Sequence, residues 1–94
     1  MKKMEYIFLF HNPISSKFCG GAFTQRQIAE AWIRDHKLSG VLTKYPVDTG
    51  VYDWAVRKQV FIPKKNEHYE RNFIAGFTSA SQEHYHYEDG ECID

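Results

Sequence analysis

Cysteine is scarce in this chain, with two residues, Cys19 and Cys92, in 94 positions. That density is too low for a disulfide-built scaffold, so both are read as free thiols of a reducing compartment. Net charge is missing as well: 12 basic residues face 12 acidic ones, which argues against a strongly basic nucleic-acid binder. Long apolar runs are absent. The stretch Tyr6 to Phe10 follows Lys2-Lys3 in the manner of an export signal but stops at His11-Asn12-Pro13, short of the roughly 7 to 15 apolar residues such a signal needs. A bilayer crossing needs about 20, so the expected location is the cytoplasm, with no membrane partner. Internal repeats and low-complexity stretches are not found. Gly20-Gly21 is not a phosphate loop, because no Gly-x-Gly-x-x-Gly or Gly-Lys-Ser/Thr context follows it.

What the chain does have is aromatic residues: seven Phe, six Tyr and two Trp, enough with a 43% hydrophobic content to exclude a disordered chain and to build a core from a few large rings. The length suits one domain, residues 1–94. The balanced charge is also unevenly spread. Met1 to Ser81 holds 12 basic and 7 acidic residues, whereas Gln82 to Asp94 holds Glu83, Glu88, Asp89, Glu91 and Asp94 with no Lys or Arg. Residues 89–94 are expected to form a mobile acidic tail, read either as a solvated end or as an electrostatic docking surface.

The short aromatic run Glu5 to Phe10 reads as a strand covered on both sides. Lys17 to Phe23 reads as its hairpin partner, with Gly20-Gly21 marking a bulge or close approach. Thr24 to Gln27 has the form of a capping box, so a main helix is expected to start there and end at Ser39-Gly40, with an apolar stripe of Ile28, Ala29, Trp32 and Ile33. Val41 to Tyr45 is a third strand stopped by Pro46, and Val51 to Gln59 a short helix that places Trp54 in the core. Tyr69, Phe73, Ile74 and Phe77 predict one or two helical turns ending at Gly76, and Ser79 to Glu88 a last strand. The expected class is α+β: a small antiparallel or mixed four-stranded sheet with one main helix and one or two short helices on one face.

Chemistry concentrates in Gln82 to Asp89. On a strand, Gln82, His84, His86 and Glu88 face one way and Glu83, Tyr85, Tyr87 and Asp89 the other. His84, His86 and Glu88 are candidate metal ligands, since two imidazoles and a carboxylate form a known set for Zn or Fe(II). The spacing favours instead a polar, hydrogen-bonded sheet face. An acid–base pair of His84 and His86 with Lys64 or Lys65 could serve phosphodiester cleavage, but residues at i and i+2 point in parallel. Cys19 has no base that the sequence can name.

Two runs, His36-Lys37-Leu38-Ser39-Gly40-Val41-Leu42-Thr43-Lys44-Tyr45-Pro46 continuing to Trp54-Ala55, and Phe77-Thr78-Ser79-Ala80-Ser81-Gln82-Glu83-His84-Tyr85-His86-Tyr87, resemble a family of small bacterial proteins catalogued as a domain of unknown function. The resemblance carries over no catalytic residue, and no cofactor is expected. By analogy with the class of small bacterial proteins that lack a catalytic constellation, it implies a non-enzymatic protein-binding module, an immunity or antitoxin protein that neutralises a cognate toxin. Its partner would be a basic, nuclease-like domain met by Glu83, Tyr85, Tyr87, Glu88, Asp89 and Glu91. The alternative is a small metal-binding or nuclease-like enzyme acting through His84 and His86. A homodimer remains open.

Overall fold

The computed structural model describes residues 5–94, and the Met1-Lys2-Lys3 start lies outside the described residues. Strands β1 (Tyr6–His11), β2 (Gly21–Phe23), β3 (Gly40–Pro46), β4 (His84–Glu88) and β5 (Glu91–Cys92) form one sheet in the order β2-β1-β3-β4-β5. Every neighbouring pair is antiparallel. The α+β class stands, with five strands in place of the four expected. The fifth comes from the acidic segment: Tyr87 pairs with Cys92 and Glu88 with Glu91, so the residues expected to form a mobile tail include a hydrogen-bonded strand.

The register decides which residues share a face. Phe10, Leu42 and Tyr85 lie in one row, and Gly40 stands opposite Tyr87. This row faces helix α1 (Arg26–Asp35), whose Ala29 and Ile33 are wholly buried. With Phe8, Phe10, Leu42 and Tyr87 they make the core. Trp32 flanks it, its ring edge-on to Phe10 at 5.6 Å, while Ile28, expected in the apolar stripe, is 51% exposed and lies outside the buried face. The other face carries Leu9, His11, Val41, Thr43, Tyr45 and His84, all half-buried.

Helix α1 starts later and stops earlier than its sequence predicts. Its N-cap is Gln25, extended at φ −135°, with no side-chain bond. That shift puts Ile28 rather than Gln27 at the third helical position, and an isoleucine cannot close a capping box. At the other end Lys37 takes the left-handed conformation at φ 52°. The Lys37 N–H then reaches Arg34 O at 3.1 Å and the Leu38 N–H reaches Ile33 O at 2.9 Å, the paired bonds of a Schellman stop, two residues before Ser39-Gly40.

Helices α2 (Val51–Arg57) and α3 (Arg71–Ala75), with a 3-10 turn at Asn66–Tyr69 between them, make a separate aromatic cluster. The Tyr52 ring meets Phe61, Phe73 and Phe77 at 5.8, 6.3 and 5.5 Å. The buried line of α2 runs through Tyr52 and Ala55; Trp54, expected in the core, is half-buried.

Two glycines are fixed by geometry. A Cβ on Gly40 would lie 2.7 Å from both the His11 carbonyl oxygen and the Phe10 ring. Gly90 closes the β4–β5 hairpin with Asp89, at φ 86° and 50° respectively, which are the two positive angles of a type I′ turn. It also lies against α1, where a Cβ would come within 3.1 Å of Lys37 Cα and 3.2 Å of Arg34 Cα. Gly90→Ala is therefore expected to lower stability by about 1–3 kcal/mol, read as a lower midpoint in urea unfolding with an unchanged slope.

Candidate functional site

The β4–β5 hairpin, with Glu83 just before it, holds the expected partner residues and the candidate metal ligands. On the α1 face, Tyr87 is 4% exposed and its hydroxyl donates to Glu30 Oε2 at 2.7 Å. Glu30 also accepts from Arg26 Nε at 3.1 Å. The Arg26 guanidinium lies 3.4 Å above the Tyr85 ring centroid, the Tyr85 hydroxyl donates to Glu83, and Glu83 pairs with Lys44 at 3.8 Å. Lys44 in turn sits 4.6 Å over Tyr6. Charges and rings thus alternate along a chain that closes the α1 face where the helix leaves it uncovered. Burial pushes the Tyr87 phenol well above its usual range, and the bond to Glu30 adds to the shift. The bond to Glu83 raises Tyr85, with burial as the second cause.

This arrangement sorts the expected partner residues by their surroundings. Tyr87 is a core residue, 4% exposed. Tyr85 and Glu83 are engaged with Arg26 and Lys44. Glu88, Asp89 and Glu91 remain: all three are exposed, and among the described residues none makes an ion pair. They stand on a turn held against the body of the molecule, the Asp89 N–H donating to Ser39 Oγ at 3.0 Å and the Gly90 N–H to Leu38 O at 2.8 Å. Preorganised carboxylates of this kind lose little freedom on meeting a basic surface.

On the opposite face the two histidines stand edge to face, ring centroids 5.4 Å apart. His84 Nδ1 donates to the Gln82 carbonyl at 2.6 Å. His86 is clasped by Asp94, whose carboxylate accepts from the His86 backbone N–H at 2.6 Å and from its Nδ1 at 3.0 Å. Glu88 does not join them: among the described residues no three His, Cys, Asp or Glu side chains come together closely enough to hold one ion. The rings lie side by side, so they do not flank a substrate as an acid–base pair must. Lys64 and Lys65 are elsewhere, their backbone N–H groups donating to His68 Nδ1 at 3.0 and 3.2 Å. Strand pairing does bring Cys19, His11, Tyr45 and His84 to one cleft of about 320 Å³, a grouping that spacing along the chain could not reveal because it depends on the register of β1 against β3 and β4.

Nothing in this geometry is a catalytic constellation that names a reaction, so kinship has to come from the chain as a whole. A family model described as a domain of unknown function, DUF7710, matches residues 7–93. The chain belongs to the DUF7710 family. The match runs from β1 to just beyond β5, so the hairpin lies within the family's span. No curated protein and no solved structure matches the chain.

Two outcomes follow from the contacts of β4. Tyr87→Phe deletes the bond to Glu30 and is expected to cost about 1–2 kcal/mol of stability; a residue serving only as a partner anchor would leave the unfolding midpoint where it was. For Asp94, the bond from the His86 backbone N–H, followed by that from the His86 ring, holds the carboxyl below its ordinary 3.8. Its ionised form, and the clasp on His86, are therefore fully present above that value and lost as pH falls through the lowered midpoint. An NMR titration should show the Asp94 carboxyl and the His86 amide moving together below pH 3.8, and Asp94→Asn should abolish the amide's shift.

Proposed function

We propose that this chain is a non-enzymatic protein-binding module that recognises a basic protein surface through the β4–β5 hairpin, and that in its finer form it is an immunity or antitoxin protein neutralising a cognate toxin. The observation that carries this reading is the state of Glu88, Asp89 and Glu91: exposed, without ion-pair partners among the described residues, and fixed in direction by the Asp89-Gly90 turn. Charges left unpaired at a rigid tip raise the association rate with an oppositely charged surface and select against acidic partners. The residues expected as aromatic anchors turn inward, so the hairpin supplies steering and register and the apolar part of the contact falls to neighbouring surface. Catalysis through His84 and His86 has less in its favour, because both Nδ1 atoms are already bonded and the two rings stand side by side on one face of one strand rather than across a substrate.

Native mass spectrometry of the protein isolated from its own cells tests the reading, run on the wild type and on the triple variant Glu88→Lys, Asp89→Asn, Glu91→Lys, in which asparagine keeps the chemistry of the turn. The expected result is a stoichiometric basic protein on the wild type, released as ionic strength rises and missing from the variant, whose melting temperature is unchanged. The finer form adds that this partner arrests growth when produced alone and that the wild-type chain restores it. A bare chain in both samples, or the same partner on both, overturns the hairpin as the recognition surface.

A further inference from the structure

Among the described residues, the two most exposed large apolar side chains stand beside an apolar hollow. Ile14 is 96% exposed and Phe18 78%, both on the loop between β1 and β2. Between that loop and the C-terminal end of α1 opens a groove of about 480 Å³, lined by Phe10, Trp32, Leu38, Phe18, Lys37 and Ser39 among others. Phe10, Trp32 and Leu38 supply its apolar lining, and all three belong to the main core or pack against it.

The loop is held in place. Asn12 Oδ1 accepts the N–H groups of Ile14 at 2.9 Å and Ser15 at 3.2 Å, Asn12 Nδ2 donates to the Ser39 carbonyl at 2.9 Å, and His11 Nε2 donates to Ser16 O at 2.8 Å. An exposed phenylalanine on a pinned loop at the rim of a hollow with an apolar lining is a knob beside a hole, and two copies facing each other would bring the knob of each to the hole of the other. We infer that this surface pairs with itself about a two-fold axis, the Phe18 of each copy seated in the groove of the other. Such an isologous contact needs one patch that is complementary to itself.

Charge at the rim meets the same condition. Lys17 is exposed on the loop and Lys37 on the groove wall, and the turn that carries the exposed Glu88 and Asp89 packs on that same wall, because Asp89 is bonded to Ser39 and Gly90 lies against Lys37 and Arg34. Among the described residues none of these charged groups is ion-paired. A rim bearing both signs suits neither a purely basic nor a purely acidic surface as well as it suits its own rotated copy, where lysines meet carboxylates. A basic partner on the hairpin and the second copy would then compete for Glu88 and Asp89.

Sedimentation equilibrium of the purified protein alone, from about 1 µM to about 500 µM, tests the pairing. The expected result is a species of twice the 11.1 kDa chain mass at the upper end, weakened by salt, with Phe18→Asp raising the dissociation constant about tenfold or more and leaving the melting temperature unchanged because Phe18 is exposed in the single copy. In a Trp54→Phe background the emission of Trp32 should move to the blue as the dimer forms, and the Phe18→Asp variant should not show this. A wild type that stays monomeric throughout, or a dimer that Phe18→Asp leaves intact, overturns the pairing. Neither result touches the hairpin reading, which is judged on protein isolated with its partner.

Discussion

One helix covers one face of a five-stranded sheet, and most of the molecule follows from how little of that face the helix can reach. Ala29 and Ile33 press on Phe8, Phe10, Leu42 and Tyr87, and the two largest side chains wholly out of water, Ile33 and Leu42, both lie in this layer. A helix of ten residues is about 15 Å long, less than the span of five strands at about 4.8 Å spacing. The ground beyond it is closed by the chain of Tyr6, Lys44, Glu83, Tyr85, Arg26, Glu30 and Tyr87. A polar closure of that kind needs each member satisfied, which is why residues that look like an exposed aromatic and acidic interface in the sequence serve to finish the layer instead.

The same geometry explains the position of the hairpin. With α1 ended at Lys37 by a left-handed residue, the chain turns at once through Leu38 and Ser39 into β3, where only a glycine at position 40 can pass the His11 carbonyl. Ser39 then becomes a junction, its carbonyl accepting from Asn12 and its hydroxyl from Asp89. One residue thereby ties the β1–β2 loop and the β4–β5 turn to the end of the helix. The acidic tip is rigid because it is built onto this junction.

Much of this was legible in the sequence, and what was not has identifiable causes. The run Tyr6 to Phe10 and the helix around Ala29 and Ile33 were readable because apolar period and length agree. The helix ends were missed for opposite reasons: the Thr24–Gln27 spacing fits a cap that starts one residue too early, and Lys37 adopts a conformation usually left to glycine or asparagine. The fifth strand had a signal, Asp89-Gly90 between Tyr87-Glu88 and Glu91-Cys92, but the density of carboxylates there invited a reading by composition. The alternation of Glu83, Tyr85 and Tyr87 against His84 and His86 was sound. Which side met the helix could not be settled without the register of β3 against β4.

For recognition, the decisive contrast is between charge that is satisfied within the molecule and charge that is not. Glu30, Glu83 and Asp94 each have a partner at hydrogen-bond or ion-pair distance, so moving any of them onto a foreign surface would leave Arg26, Lys44 or His86 unpaired. Among the described residues Glu88, Asp89 and Glu91 have no such partner to lose, and their turn is fixed in direction by its bonds to Ser39 and Leu38. An interface energised by three exposed carboxylates alone would be fast to form and weak, since surface pairs contribute little in water. Tight association requires apolar burial beside them, and the apolar ground nearest to the hairpin is the groove of Phe10, Trp32 and Leu38 that shares Ser39 with it. Either occupant proposed above, a second copy or a basic protein, would therefore gain its speed from the turn and its lifetime from the groove.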